Sequence, residues 1–501
     1  MRVRVWAAFA LCLAGSGAIA APLAKLDSGV VVGLESGQAA IFRAIPYAAP
    51  PTGPLRWKPP GPAIPWIGER HAAAPGPACP QMVGAAPNLG GYFGPISEDC
   101  LTLDVTAPKV ARHAPVMVWI YGGGNVAGST NLPSYDATNF ARDGVMVVAM
   151  NYRLGALGFL AHPALSAEAP GDQPLASYGI MDQIAALKWV KRNIAAFGGD
   201  PGNVTLFGES AGGEDVLALL TLPAAKGLFQ RAIVQSGGGW SAMPALADRE
   251  AEGAALASRL GLPGASATTA QLRALSVNQL LDQAGPTGQT VDGRLFTQSV
   301  TRALARGAFA PVPLIIGSNS NEASLMLVTG QGAREVFAGM SPGLRAAYAA
   351  DAPGEGTLAR ADFNDRVMGG PARWVARMVS IRAPAWLYYF SYVPERQRGV
   401  RPGVNHASEI PFVFDSLDAI PGRTPLITPS ERAAAAFAHV RWVAFARHGR
   451  PDRGAGPAWP AYRTDRDRLL DFGDPPTVRT HFRKAQLDAQ EAVAAMLIAP
   501  R

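Results

Sequence analysis

The segment Gly208-Glu209-Ser210-Ala211-Gly212 constrains the fold most, because of what flanks it. Residues 203–207 are an apolar run of strand character, and an apolar helical stretch continues from the segment to Leu220. A strand that becomes a helix at once needs a very sharp turn, which the glycines of G-x-S-x-G permit. The serine is then held in a strained turn above a sheet, with its hydroxyl presented at the start of a helix. G-x-S-x-G occurs by chance in many chains, so its weight here comes from the strand before it and the helix after it.

The rest of the chain agrees with that context. From Pro115 onward short apolar runs alternate with helical patterns: 116–121 and 145–151 read as buried strands and 181–197 as a helix. Residues 231–235, 312–316 and 385–391 repeat the strand pattern, and 431–447 and 483–498 read as late helices. Such alternation predicts an α/β architecture with a mostly parallel central sheet flanked by helices. Segments 240–306 and 330–379 are Ala-rich and helical, and read as excursions covering the site. The arginines between Arg360 and Arg377 read as solvated helix faces in preference to a wall that attracts anions. Proline-dense stretches near Pro46 and Pro59 predict ordered turns and extended chain. No internal repeat or low-complexity linker divides the 501 residues, so one large domain over 21–501 is expected.

Residues 1–20 have the form of a cleavable signal peptide: Arg2 and Arg4, an apolar run over 5–14, and small residues ending in Ala18-Ile19-Ala20. The apolar run is well short of the roughly 20 residues a membrane-spanning helix needs. The mature chain is therefore expected without a membrane span, in the periplasm or the medium. Its net charge of +7, two of it in the signal, is scattered without a basic run, which argues against nucleic acid as a partner. With Cys12 removed, Cys79 and Cys100 remain. In an exported chain they suggest one disulfide, worth on the order of 3 kcal/mol, against the alternative of two separate free thiols.

An acyl-transfer serine needs donors aimed at the developing oxyanion, and backbone N–H groups serve because they are already oriented. Tyr121-Gly122-Gly123-Gly124 follows a predicted strand and can supply those of Gly123 and Gly124, with Ala211 adding a third at the helix start. Gly237-Gly238-Gly239 is a competing cluster, disfavoured by its position downstream of the serine. The serine also needs a base, and seven histidines compete. His71, His113, His162, His439, His448 and His481 read as surface or structural residues. His406, late in the chain on an expected loop in Asn405-His406-Ala407-Ser408-Glu409, is the candidate. Glu322, just past the strand ending at Ile316, is the candidate carboxylate to orient it, with spacing alone leaving other acids open.

At this point the residues resemble the type-B carboxylesterase family, which includes bacterial p-nitrobenzyl esterases, liver carboxylesterases and cholinesterases. Ser97-Glu98-Asp99-Cys100-Leu101-Thr102-Leu103-Asp104-Val105, Asn151-Tyr152-Arg153-Leu154-Gly155 and Phe197-Gly198-Gly199-Asp200-Pro201 carry the likeness, together with the serine motif. The resemblance implies an α/β-hydrolase fold and a triad of Ser210, Glu322 and His406. It also implies oxyanion donors at Gly123, Gly124 and Ala211, and a disulfide between Cys79 and Cys100. Four positions depart from the family pattern. Tyr121 stands for histidine, Asn125 for an aromatic, Asp215 for a serine, and Ala323 for the glycine after the acid. Asn125 and Asp215 are the two expected to reshape the acyl pocket. The 79–100 loop has no tryptophan on which a quaternary ammonium could stack, which disfavours choline esters.

The expected activity is hydrolysis of a small-molecule carboxylic ester through an acyl-enzyme, without a metal or organic cofactor. Amide, carbamate or lactone hydrolysis on the same triad is the alternative. A non-catalytic binding ectodomain is the reading from another class, and the complete triad and glycines weigh against it.

Overall fold

Val-, Ile- and aromatic-rich runs bounded by Gly, Pro and Asn build the sheet, as their preference for a pleated, buried surface requires. The computed structural model describes residues 21–82, 94–349 and 354–498, apart from positions 241, 284, 286 and 453; residues 1–20, expected to be a signal peptide, lie outside them. The strands are β1 (Leu23–Lys25), β2 (Val30–Val32), β3 (Leu34–Ser36), β4 (Ala39–Pro46), β5 (Glu69–His71), β6 (Thr102–Pro108) and β7 (Ala114–Ile120). They continue with β8 (Met146–Met150), β9 (Gly199–Glu209), β10 (Arg231–Gln235), β11 (Leu314–Asn319), β12 (Ala385–Phe390), β13 (Arg468–Phe472) and β14 (Thr477–Thr480).

Among the described residues, β1, β2 and β5 form a small sheet, and the others form an 11-stranded sheet in the order β14-β13-β12-β11-β10-β9-β7-β8-β6-β4-β3. From β13 through β8 every neighbouring pair is parallel, and the outer pairs on both sides are antiparallel. The sheet is thus mostly parallel, with helices packed on it, an α/β-hydrolase fold. After β7 the chain passes to β8 on one side and then to β9 on the other, so the strand order reverses between β7 and β9. In open α/β sheets that reversal opens a crevice at the carboxyl ends of the strands.

Each apolar run read from the sequence overlaps one of the strands β7 to β12, with ends differing by up to three residues except at the start of β9. β9 starts earlier than its apolar run because Gly199 still pairs with Ala114 before the register shifts to Val116 opposite Val204. The helix expected over 181–197 spans Tyr178–Asn193 and tightens into a 3₁₀ turn over Ile194–Phe197, closed by Gly198 at a left-handed φ of 83°. The two late helices are Pro429–His448 and Lys484–Ile498. The first carries a capping box from Thr428 and Glu431. Between the sheet and Pro429–His448, Trp119, Phe207, Phe140 and Phe414 pack edge-on and stacked, with ring centroids 4.7–6.4 Å apart.

Of the arginines of 360–377, Arg366 is half-exposed, as a solvated face requires, but Arg360, Arg373 and Arg377 are tied into the protein. Arg373 is buried and paired with Asp467 at 2.9 Å and Asp488 at 2.7 Å, Arg377 bonds Glu491, and Arg360 bonds Asn321. The pairs Arg373–Asp488 and Arg377–Glu491 fasten the helix Gly370–Ser380 to Lys484–Ile498, a long-range use of charge that local periodicity cannot reveal. Cys79 and Cys100 form a buried disulfide with Cα atoms 5.1 Å apart. Among the described residues no helix is long and apolar enough to cross a membrane.

Candidate active site

β9 delivers Ser210 at its carboxyl end, and the helix Ala211–Thr221 starts immediately after it. Ser210 itself adopts φ 56° and ψ −127°, a conformation costly to any residue with a side chain. Its N–H donates to the Gln235 carbonyl of β10 at 2.9 Å, and its own carbonyl accepts from Glu214 N–H at 2.9 Å. The flanking glycines have a steric reason. A Cβ on Gly208 would fall 2.5 Å from the Gly212 carbonyl oxygen, and one on Gly212 would fall 2.1 Å from that of Ile120. Gly237 lies against Gly213, so the second glycine cluster serves helix-to-strand packing rather than the oxyanion.

The carboxyl end of β7 runs into Gly122, Gly123 and Gly124, the last two with left-handed φ of 109° and 63°. The Gly123 carbonyl accepts from the N–H groups of Val126 and Ala127 at 3.1 Å, which folds the loop back on itself. The amides of Gly123, Gly124 and Ala211 donate to no protein acceptor among the described residues. Behind the loop, Tyr121 stacks on Tyr152 with centroids 4.7 Å apart, and the Tyr152 hydroxyl donates to the Tyr121 carbonyl at 2.8 Å. Arg153, next in the chain, makes a buried fork with Asp182. The Asn-Tyr-Arg segment is therefore the foundation of the glycine loop, with Tyr121 fitted to it in place of histidine.

Glu322 begins a 3₁₀ turn just beyond β11, and His406 lies on the loop after β12. Both are buried, and His406 Nδ1 is 2.6 Å from Glu322 Oε2. The other carboxylate oxygen, Oε1, accepts from the Ser236 hydroxyl at 2.6 Å and from Asn319 N–H at 2.7 Å. A carboxylate so surrounded only accepts, so Nδ1 carries the proton in that bond and Nε2 of a neutral ring presents its lone pair. The two loops are further tied by Asn321 and Asn405, which pair through backbone and through side chains at 2.6 Å, and by His406 N–H donating to Ser324 at 3.0 Å. His406 Nε2 is buried and makes no hydrogen bond among the described residues.

The Glu209 carboxylate lies beside His406 and close to the Ser210 side chain. Glu209 Oε1 is 3.1 Å from His406 Nε2, at an angle that makes no hydrogen bond. A Cβ built on Gly122 would lie 2.7 Å from Glu209 Oε2 and 2.8 Å from the Ser210 Cβ. Sequence reasoning passed over Glu209 as a variable residue of the motif. It also missed Ser236, Asn319 and Glu409, the last buried and held by Gln235 at 3.0 Å and by Asn319. The signal for Glu209, Ser236 and Asn319, polar residues at the carboxyl ends of buried parallel strands, is present in the chain; Glu409 lies on the histidine loop and carries no such signal.

Charge in this group is strongly coupled. Burial raises Glu209 to about 8, His406 opposing and Glu409 and Glu322 adding to the shift. Burial would lower His406, but the Glu209 and Glu322 carboxylates outweigh it and raise the imidazole to about 10. A cavity of about 300 Å³ opens onto His406, Glu209 and Gly122, walled by residues such as Tyr135, Tyr392 and Phe412, with Arg401 and Arg423 also on its wall. Among its described lining residues none comes from 240–306 or 330–379. Both excursions reach residues around the site: Asn364 accepts from Ala323 N–H at 2.6 Å, and Gln289 donates to Asp215 at 2.5 Å.

The carboxylesterase family's sequence profile matches residues 20–340 and 357–490. The chain is 36% identical over 476 residues to a fumonisin B1 esterase of Sphingopyxis macrogoltabida, covering 89% of this chain and 85% of that protein. It is 35% identical over 470 residues to the para-nitrobenzyl esterase of Bacillus subtilis (strain 168), covering 88% and 93%. A solved PNB esterase structure superposes with a TM-score of 0.81 at 31% identity, over 93% of this chain and 99% of that one.

Proposed function

Because this chain belongs to the carboxylesterase family and is a carboxylic ester hydrolase, we propose that it cleaves small-molecule esters through an acyl-enzyme on Ser210. His406 is the base and Glu322 the acid that orients it. The observation that carries this reading is the buried Glu322–His406 contact of 2.6 Å, set beside the strained Ser210 turn.

Ser210 Oγ attacks the ester carbonyl carbon while its proton passes to His406 Nε2. Charge develops on the carbonyl oxygen, and the N–H groups of Gly123, Gly124 and Ala211 hold it without having to reorganise. The carbon–oxygen bond then breaks, the imidazolium protonates the departing alcohol, and the acyl group remains on Ser210. Water, deprotonated by His406, attacks the acyl carbon; the bond to Ser210 Oγ then breaks, the imidazolium returns its proton to Oγ, and the carboxylic acid leaves. Glu322 stays ionised throughout and keeps the Nδ1–H tautomer in place.

The test compares hydrolysis of p-nitrophenyl butyrate by the wild type and by Ser210→Ala, from pH 7 to 10. Removal of the nucleophile is expected to lower kcat on the order of a million-fold. An equally active variant would reject the assignment.

We further propose that residues 1–20 are removed during export and that 21–501 works as one domain in the periplasm or medium. The Cys79–Cys100 disulfide supports an oxidising compartment. N-terminal sequencing of the protein recovered outside the cytoplasm is expected to begin at Ala21. Recovery only inside the cell, with Met1 retained, would contradict it.

A further inference from the structure

The two departures expected to reshape the acyl pocket turn out to be partners. Asn125 follows Gly124 directly, Asp215 lies on the helix that starts after Ser210, and Asn125 Nδ2 donates to Asp215 Oδ1 at 3.3 Å. Gln183, on the helix Tyr178–Asn193, donates to Asp215 Oδ2 at 2.6 Å, and Gln289, from the first excursion, donates to Oδ1 at 2.5 Å. Asn125, Asp215 and Gln183 are all buried.

Three neutral amides thus converge on one carboxylate, and the arrangement is costly. Asn125 Oδ1 and Gln183 Oε1 are left buried without a donor, because both NH₂ groups have turned to the acid. A buried carboxylate held only by neutral donors keeps a large part of its desolvation penalty, and burial accordingly raises Asp215 to about 7 against the pull of the three amides. A serine at this position could not accept all three. The return for that cost lies next to the glycine loop. Asn125 is itself left-handed at φ 58°, its carbonyl accepts from Gly155 N–H at 2.7 Å, and its side chain is bonded to Asp215 alone among the described residues.

We propose that Asp215 is a positioning residue for the oxyanion loop. Through Asn125 its carboxylate holds Gly123 and Gly124 at a fixed distance from the serine helix, while Gln183 and Gln289 fix the direction of the acid. The inference rests on the assignment of Ser210 and the glycine amides above. It acts on the transition state, because the amides bond the oxyanion more strongly than the ground-state carbonyl.

The experiment measures kcat and KM for p-nitrophenyl butyrate with wild type, Asp215→Asn, Asn125→Ala and the double variant. Each is normalised to active sites counted by stoichiometric labelling with a fluorophosphonate, and thermal melting is recorded for each. Asp215→Asn keeps the volume but turns one acceptor into a donor facing another amide. It is expected to lower kcat tenfold or more with KM changed less than threefold. Asn125→Ala is expected to match it, and the double variant to lose little more, because both act through one link. If Asp215→Asn does not fold, Asp215→Ser stands in for it. Unchanged kcat in a folded, fully labelled variant overturns the proposal, as do losses that multiply in the double variant. An inactive wild type, or an active Ser210→Ala, would instead sink the acyl-enzyme reading, so the two failures are distinct.

Discussion

At His406 burial and charge pull the imidazole in opposite directions, and the carboxylates win. Glu322 at 2.6 Å and Glu209 at 3.1 Å both favour the protonated ring, so it stays charged well above the ordinary value of 6.5. The two shifts partly oppose each other, since burial also holds Glu209 up and a neutral Glu209 no longer supports the imidazolium. The direction that survives is upward, because Glu322 remains in contact. A base must be neutral to accept the serine proton, so kcat/KM is expected to rise with pH through a limb displaced above 6.5. Stability runs the other way: what the ion pair contributes is fully present below about 6.5 and is lost as pH rises through about 10. Glu209→Gln removes one of the two charges and is expected to move the activity limb down by about one unit or more. A pH–rate profile of the variant that superposes on that of the wild type would show that Glu209 does not act on His406.

Strand, turn and helix meet most tightly at Gly212, where Ile120 of β7 and the serine helix leave no space for a methyl group. Gly212→Ala would set a Cβ 2.1 Å from a backbone oxygen, which cannot rotate away. A shift of the helix start is then forced, with an expected cost of about 3 kcal/mol or more and a large fall in kcat per folded molecule. A melting curve and kinetics like those of the wild type would mean the elbow is looser than these contacts require. This element was legible in the chain, because strand, G-x-S-x-G and helix are contiguous and each has its own period. So were β7, β8 and β10 to β12, all continuous apolar runs. β4, β6, β13 and β14 were not, since Arg43, Asp104, Asp471 and Arg479 interrupt their apolar pattern on strands toward the antiparallel margins of the sheet. The burial of Arg373 was equally hidden, because Asp467 and Asp488 reach it from far along the chain.

Across the whole molecule, four strand ends contribute the proposed site. β7 brings the glycines, β9 the serine, β11 the acid and β12, through a loop, the histidine, all at the carboxyl edge of one parallel sheet. Motif and chain order nominated Ser210, His406 and the glycines, while Glu322 needed the family resemblance to single it out among other acids. They could not reveal that Glu209, Ser236, Asn319 and Glu409 surround the histidine and its acid, nor that Asn125 and Asp215 touch, because those relations exist only once distant strands are aligned. The central claim is that acyl transfer passes through Ser210, and trapping the intermediate tests it most directly. The enzyme is mixed with p-nitrophenyl butyrate, quenched in acid within milliseconds, digested and mapped by mass spectrometry. A butyryl mass increment is expected on the peptide carrying Gly208-Glu209-Ser210-Ala211-Gly212, and is expected to be absent from Ser210→Ala. Turnover with no adduct on that peptide, or an adduct on another residue that persists in Ser210→Ala, would contradict it.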